Sequence, residues 1–176
     1  MSANVKDQTT ILRGNKYQRF GTRLNVDHQM NEKISVGGRF MLTYIDDKQV
    51  PTNWAGGVSN VSEMLPIWPV RKADGSYFNV SDEHPVAGND LRTINLKSNQ
   101  ILGNWYLKYT IIEGLSLRTE LGSNLLFNDD FHFREGQITS HGRSVSSTVN
   151  GKRMGYNWKN ILNYTKIKGQ HSIDLL

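Results

Sequence analysis

Hydrophobicity alternates with a period of two between Lys16 and Tyr44, and this pattern constrains the fold more than any other feature of the chain. Side chains along a β-strand point to opposite faces in turn, so Phe20, Leu24 and Val26 share one face while the polar residues between them occupy the other. After a short polar segment at 29–33, the alternation resumes toward Tyr44. The pattern predicts a β-hairpin with one apolar and one hydrophilic face.

Two further hairpins of the same design follow along the chain. Residues 101–111 and 115–127 alternate on either side of a tight turn at Glu113-Gly114, and a third alternating stretch begins at Tyr156 and turns at 166–169. The alternation is still running at Leu176, and residues 1–6 have the pattern of the end of an earlier strand. We therefore expect about five full strands and two partial ones, with both termini cut rather than capped.

The connections between the alternating segments differ greatly in length. Short turns join the two strands of each hairpin, whereas the connections between hairpins are long and polar, at about 47–98 and 128–151. In an antiparallel meander, successive connections lie at opposite ends of the sheet, so the long loops are expected to share one end. This asymmetry is typical of outer-membrane barrels. The predicted fold class is all-β, an antiparallel meander of long hairpins that forms part of a transmembrane β-barrel with long extracellular loops.

Composition narrows the classes of protein that remain. A hydrophobic fraction of 37% and a mean hydropathy of −0.53 are low for a compact domain but suit strands with one apolar face and polar loops. No apolar run approaches the roughly 18 residues of a transmembrane helix, and no signal peptide is recognisable at the start. The absence of cysteine excludes a disulfide scaffold. The net charge of +5 is spread among acidic residues, so no nucleic-acid binding is predicted.

Tyrosine and tryptophan side chains recur on the predicted apolar face. Their amphipathic rings favour the two interfaces of a membrane, although aromatic residues also pack in any β core. The residues expected to face the membrane are Tyr44, Trp105, Tyr109, Tyr156, Trp158 and Tyr164.

Three segments carry a resemblance to a known family. The strand–turn–strand formed by 17–28 and 34–37 resembles that of the SusC/RagA family of TonB-linked (TonB-dependent) outer-membrane transporters. Residues 64–70 contain the Pro-x-x-Pro-Val stretch typical of that family and lead to an Asp-Gly turn at 74–75. Residues 104–118 are similar to its Asn-x-Tyr…Gly-Leu-x-x-Arg hairpin. The one local departure is His84-Pro85, where the family usually has Asn-Pro.

The resemblance implies a function and a set of partners. It implies an importer of oligosaccharides or peptides in the outer membrane of a Gram-negative bacterium, with a SusD-like surface lipoprotein as a lid. It also implies energy delivered by the TonB complex through a plug inside a barrel of about 22 strands. Neither a plug nor a signal peptide is recognisable, so residues 1–176 are expected to be an internal fragment, a partial barrel domain.

Candidate binding residues follow from the loops and from the hydrophilic face. Sugars are held by aromatic platforms with a few convergent polar groups, and the first long loop offers such aromatics, although they could instead pack within the loop. Charged residues on the hydrophilic face are expected to line the lumen or contact the plug, or else to pair across strands. The loop candidates are Trp54, Trp68, Tyr77 and Phe78, and the lumen candidates are Arg19, Arg23, Arg39, Lys108, Arg118 and Glu120.

Signals for catalysis are poor. The five histidines lack metal-ligand spacing, and neither a phosphate-binding loop nor a Gly-x-Ser-x-Gly motif occurs. The nearest candidate is Asp129-Asp130 with His132 in the second loop, which is either a solvated acidic loop or a calcium site in the intact protein. We predict no enzyme activity and no cofactor.

Two other classes of protein remain open. A soluble all-β glycan-binding module would bury its apolar strand faces against a second sheet and would have short loops at both ends. A complete small barrel of about eight strands would serve a structural or adhesion role without transport. If the chain is a barrel piece, its open edges and apolar face predict that it aggregates or stays largely unfolded in water.

Overall fold

The computed structural model describes residues 1–50, 65–78, 84–139, 141–169 and 171–176. These residues form one antiparallel sheet of seven strands whose spatial order is the chain order. The predicted all-β meander is confirmed, with five long strands between two short ones. The strands are β1 (Ser2–Thr9), β2 (Lys16–Gln29), β3 (Ile34–Gln49), β4 (Arg92–Ile112), β5 (Leu115–Arg134), β6 (Val145–Lys168) and β7 (His171–Leu175); a short helix α1 covers Pro85–Asp90 and a 3-10 turn covers Gly136–Ile138.

The strand register places the apolar residues of β1 to β6 on one continuous face. Phe20 on β2 pairs with Tyr44 on β3. Further along the same face, Leu121 on β5 pairs with Trp105 on β4 and with Trp158 on β6. Because side chains alternate, a slip of one residue would move the apolar residues of a strand to the other face. The observed register is therefore the one that keeps them together on one face. Within the described residues, the buried hydrophobic side chains are only Val50, Tyr77 and Ala87. The sheet therefore has no apolar core beneath it.

The apolar face is left open to its surroundings. Trp158 is 73% exposed and Leu121 is 49% exposed, and both lie in the middle of the sheet. On β4 the apolar positions of this face run from Ile101 to Tyr109. About nine to eleven tilted strand residues cross the hydrocarbon core of a bilayer, so this apolar band has the height of one membrane crossing. Among the described residues no helix is both long and apolar enough to span a membrane.

The strands continue well beyond the apolar band: β3 reaches Gln49 opposite Ile94, and β4, β5 and β6 extend furthest. β4 has 21 residues, and its first part carries Thr93, Asn95 and Lys97 on the face that is apolar further along. The paired parts of β5 and β6 accompany it as far as Arg134 and Val145. This projection of β4, β5 and β6 beyond the band is polar on much of both faces and lies at the end of the sheet that carries the long connections.

The predicted loop boundaries are too wide. The first long connection spans 50–91 rather than 47–98, and the second spans only 135–144 rather than 128–151. The reason is that both faces of the projecting strands mix polar and apolar residues, so the alternation is weak there, while cross-strand pairing still extends the strands. The short turns lie at the opposite end as predicted, and Gly114 and Gly169 take the positive φ values (81° and 62°) that tight turns require.

Aromatic rings cover two glycines on the apolar face. Trp105 lies across from Gly38, and Phe40 lies across from Gly103. The two rings meet edge to face with centroids 5.2 Å apart. An added Cβ on Gly38 would come within 2.8 Å of the Phe40 ring, so the glycines make room for the rings to lie along the sheet.

Candidate functional site

The polar face of the sheet carries a long groove. Its volume is about 730 Å³, and its centre is a cross-strand row that contains Asn25, Arg39, Asn104 and Asn157. Gly122 lies in the same row beneath the amide of Asn157. Amide and guanidinium groups both donate hydrogen bonds, and the amides also accept them. The groove therefore offers convergent polar groups over a shallow floor.

Tyr106 is the centre of a polar network next to this row. Its hydroxyl donates a 2.7 Å hydrogen bond to Asp27 Oδ1, and the Arg118 guanidinium lies 4.2 Å from the centre of its ring. Arg118 Nε in turn donates to Glu120 Oε1 at 2.6 Å. The ring lies over Gly37, where an added Cβ would collide with it. The network fixes charged side chains of β2, β4 and β5 against one another.

The six lumen candidates all lie on the polar face. Arg118 and Glu120, two residues apart on β5, pair with each other along the strand, whereas the predicted alternative to ligand contact was pairing across strands. Their role in lining a channel remains a prediction. The register places the whole set on one face: Arg19, Arg23, Arg39, Lys108, Arg118 and Glu120.

Tyr77 is the buried centre of the first long connection. This side chain is 6% exposed, and its hydroxyl donates to Asp90 Oδ2 at 2.7 Å and accepts from Arg71 Nη2 at 2.8 Å. The hydrogen bond to Asp90 raises the pKa of Tyr77 above its usual value. Asn89 Nδ2 donates to the Arg13 carbonyl at 2.6 Å, which ties the loop to the β1–β2 connection. The ring of Tyr77 is buried in this cluster, and its role as an aromatic platform for ligand stays a prediction.

The other loop candidates fare differently. Trp68 and Phe78 lie with ring centroids 6.3 Å apart, at a tilt of 49°. Both are half-buried, so part of each ring remains accessible, and their role in ligand binding stays a prediction. Trp54 lies outside the described residues.

Helix α1 begins at a histidine cap. His84 is 5% exposed, and its Nδ1 accepts a 3.2 Å hydrogen bond from the Val86 N–H. Burial lowers the pKa of His84 below its usual value of 6.5, because the charged imidazolium loses its hydration. The neutral form is also the form that can accept the hydrogen bond at Nδ1. The cap therefore depends on His84 staying unprotonated.

This cap makes the loop sensitive to acid. The folded loop binds fewer protons at His84 than the unfolded loop, so its stabilisation is present above pH 6.5 and is lost as the pH falls from 6.5 through the lowered folded pKa. We expect limited proteolysis between 65 and 91 to accelerate several-fold from pH 7.5 to pH 5. His84→Asn retains a cap acceptor without a titrating group, and its cleavage rate should be flat across this range. Equal acid sensitivity in both proteins would contradict the assignment.

The acidic pair expected in the second loop lies inside β5. Asp129 and Asp130 are consecutive strand residues, so their carboxylates point to opposite faces of the sheet. Asp129 pairs with Lys97 on β4, whereas His132 shares the polar face with Asp130. The two carboxylates therefore do not converge, and calcium binding in the intact protein stays a prediction. Within the part of the chain that the structure describes, no cluster of three metal-ligating side chains occurs.

The aromatics expected to face a membrane all lie on the apolar face, at three levels. Tyr44 is near the loop end of the band, Tyr109 and Tyr164 are near the turn end, and the others lie between. Trp158 Nε1 donates a 2.8 Å hydrogen bond to Thr119 Oγ1 on the same face. Such pairing satisfies an indole N–H that has no water available inside a bilayer. Contact of these six side chains with lipid remains a prediction.

These features together define a class of protein. One antiparallel sheet carries an exposed apolar band of membrane height, a polar opposite face, short turns at one end and long connections at the other. The fold is that of part of an outer-membrane β-barrel.

Comparison with known proteins finds similar receptors. The chain is 28% identical to TonB-dependent receptor P26 of Formosa agariphila over 189 aligned residues, which cover 99% of this chain and 18% of that receptor. It is 29% identical to TonB-dependent receptor P39 of the same organism over 67% of this chain and 11% of that receptor. The chain thus spans less than a fifth of the length of the curated relatives it matches. No family model matches.

A solved structure agrees in fold. A chain of the RagAB peptide importer, in its closed-closed state, superposes with a TM-score of 0.77 at 17% identity, covering 98% of this chain and 21% of that one. The predicted resemblance is confirmed: the chain is a homologue of TonB-dependent receptors, with the barrel fold of a SusC/RagA-type transporter. These relatives are receptors and transporters, not enzymes, in agreement with the prediction.

Proposed function

We propose that the chain forms part of the barrel wall of a TonB-dependent nutrient importer in the outer membrane of a Gram-negative bacterium. The observation that carries this proposal is the exposed apolar band on a sheet whose other face is polar. Its mid-band residues Leu121 and Trp158 have no apolar partner layer among the described residues. Exposure of such a face is favourable in lipid and unfavourable in water. With the apolar face in lipid, the polar face lines the lumen.

The substrate and partners follow from the same proposal. We propose uptake of oligosaccharides or peptides, with capture at the loop end by a SusD-like lipoprotein and energy from the TonB complex through a plug. The amide-rich groove suits ligands with many hydroxyl or peptide groups, and the RagAB importer, whose barrel the chain resembles, is a peptide importer. The accessible parts of Trp68 and Phe78 suit contact with such a ligand near the entrance.

A stand-alone glycan-binding or adhesion module is the weaker candidate. A sandwich would cover its apolar faces with a second sheet, whereas the described residues form one sheet with those side chains exposed. A water-soluble module with this surface would present an apolar patch far larger than soluble monomers tolerate.

Thiol labelling in whole cells tests the proposal, with any cysteine outside these 176 residues replaced by serine, because the chain itself contains none. Single cysteines are placed in the complete receptor at Lys72, in the long loop, and at Lys33, in a short turn; both sites are exposed. We expect a membrane-impermeant maleimide to label Lys72→Cys in intact cells and to label Lys33→Cys only after the outer membrane is opened. Labelling of both sites in intact cells, or recovery of the protein outside the membrane fraction, would overturn the proposal.

A further inference from the structure

A small pocket of about 330 Å³ surrounds Gly21 on the polar face, near the loop end of the band. Gly21 pairs with Asn4 on β1 and with Thr43 on β3, so the three residues form one cross-strand row. Arg19 and Arg23 lie two positions before and after Gly21 on β2 and therefore share its face. An added Cβ on Gly21 would meet nothing closer than a carbonyl oxygen at 3.8 Å, so the floor of the pocket is open.

The positive charge around this pocket has no carboxylate partner within the described part of the chain. Arg19 forms no salt bridge there, and the contact of Arg23 is from Nη2 to Met41 Sδ at 3.8 Å, a weak acceptor. Lys6 lies opposite Arg19 on β1, with its Nζ 5.6 Å from the centre of the Tyr17 ring. No acidic side chain lines the pocket. A guanidinium presents its donors as a planar fork, which matches the oxygens of an anion such as a carboxylate.

A buried hydroxyl points to the same kind of ligand. Thr43 is 7% exposed, and its Oγ1 has no hydrogen-bond partner among the described residues. Thr43 also lines the pocket. Leaving a buried polar group unpaired is unfavourable, and an anion oxygen in the pocket would accept the hydrogen bond from this hydroxyl.

We propose that Arg19 and Arg23, with the Thr43 hydroxyl and the Asn4 amide, bind an oxyanion over Gly21. The proposal rests on the proposed function, because it takes the polar face as the lumen. The oxyanion belongs either to an imported acidic substrate or to an acidic side chain elsewhere in the receptor. The position near the loop end places the site where a ligand enters the lumen.

The test uses the complete receptor, purified in detergent. Its melting temperature is measured with sodium acetate or sodium sulfate against sodium chloride at equal ionic strength, because a ligand that binds the folded state raises it. We expect acetate and sulfate to produce an increase beyond the general stabilisation of folded proteins by these salts, which acts equally on all variants. Gly21→Val should abolish that increase by filling the floor, and Arg19→Gln or Arg23→Gln should weaken anion binding about tenfold, the loss of one strong charged hydrogen bond. Lys33→Gln removes the same charge from the distant turn and is the matched control.

Thr43 separates ligand binding from a structural role. Thr43→Val removes the hydroxyl at nearly constant shape, so without a bound oxyanion it should leave stability equal or higher. With the oxyanion bound, we expect Thr43→Val to weaken the acetate effect several-fold and Thr43→Ser to retain it.

The outcomes also distinguish the source of the oxyanion. If acetate and sulfate have no effect but Arg19→Gln, Arg23→Gln and Thr43→Val each lower the melting temperature while Lys33→Gln does not, an acidic side chain of the receptor occupies the site. If neither the salts nor these variants differ from their controls, the oxyanion site is overturned. That result does not overturn the transport proposal, which is tested separately by the labelling of Lys72→Cys in intact cells.

Discussion

Replacing Leu121 with arginine is expected to lower the free energy of unfolding of the complete receptor in a bilayer by about 2–4 kcal/mol. Leu121 lies at mid-height on the apolar face, between Trp105 and Trp158, and is 49% exposed there. An arginine at this depth must draw water or headgroups into the hydrocarbon, or remain poorly solvated. The measurement is urea-dependent folding into phospholipid vesicles, followed by tryptophan fluorescence.

Depth provides the control for this prediction. Thr148 points to the same side of the sheet as Leu121 but lies on the projection beyond the apolar band, opposite Phe131. Thr148→Arg should cost only about 0–1 kcal/mol, because the new charge stays in water. Equal costs at the two positions would mean that lipid does not cover the band, and the membrane assignment of this face would fail.

Replacing Gly37 with valine is the second large effect, with an expected cost of about 1–3 kcal/mol from overpacking. An added Cβ would collide with the Tyr106 ring and lie 2.5 Å from Asp27 Oδ1. The ring cannot move aside without losing its hydrogen bond to Asp27 and its contact with the Arg118 guanidinium. Urea-dependent unfolding of the detergent-solubilised receptor measures the loss.

Two variants separate this collision from a general intolerance of valine. Gly155 lies on the same polar face, where an added Cβ meets only the Asn124 carbonyl oxygen at 3.9 Å, so Gly155→Val should cost little. In a Tyr106→Ala background the cost of Gly37→Val should largely disappear, since contacting residues couple in a double-mutant cycle. A cost that persists without the Tyr106 ring would rule out the collision as its cause.

The sequence predicts the strands correctly where one face of the sheet is apolar and the other is polar. From Phe20 to Tyr44 the apolar and polar residues separate onto two faces, with Met41 on the polar face as the exception, and the register agrees with this pattern. The projecting parts of β4, β5 and β6 were not predicted, because both of their faces mix polar and apolar residues and the alternation is weak there. Their extent is set by pairing with neighbouring strands, which a single sequence does not display.

The loop cluster and the pocket mark a second limit of prediction. Tyr77 is buried through contacts with Asp90 and Arg71, 13 and 6 residues away along the chain, and no periodic pattern in the sequence indicates these pairs. The sequence predicts part of the pocket, because two arginines that lie two residues before and after a glycine on one strand must share its face. Its unpaired Thr43 hydroxyl emerges only once the register places β3 beside β2.

The projection of β4, β5 and β6 means that a single strand passes through two media of very different polarity. In the band, breaking a backbone hydrogen bond leaves groups that water cannot reach, whereas beyond the band water replaces each bond at little cost. The outermost backbone hydrogen bonds between strands can therefore break and re-form while those in lipid stay intact. Amide hydrogen exchange should be fast near Thr93, slow near Trp105 and graded between them. Under the proposed transport function, the projecting parts of β4, β5 and β6 would then be flexible where a ligand enters, while the part of the sheet in lipid stays rigid.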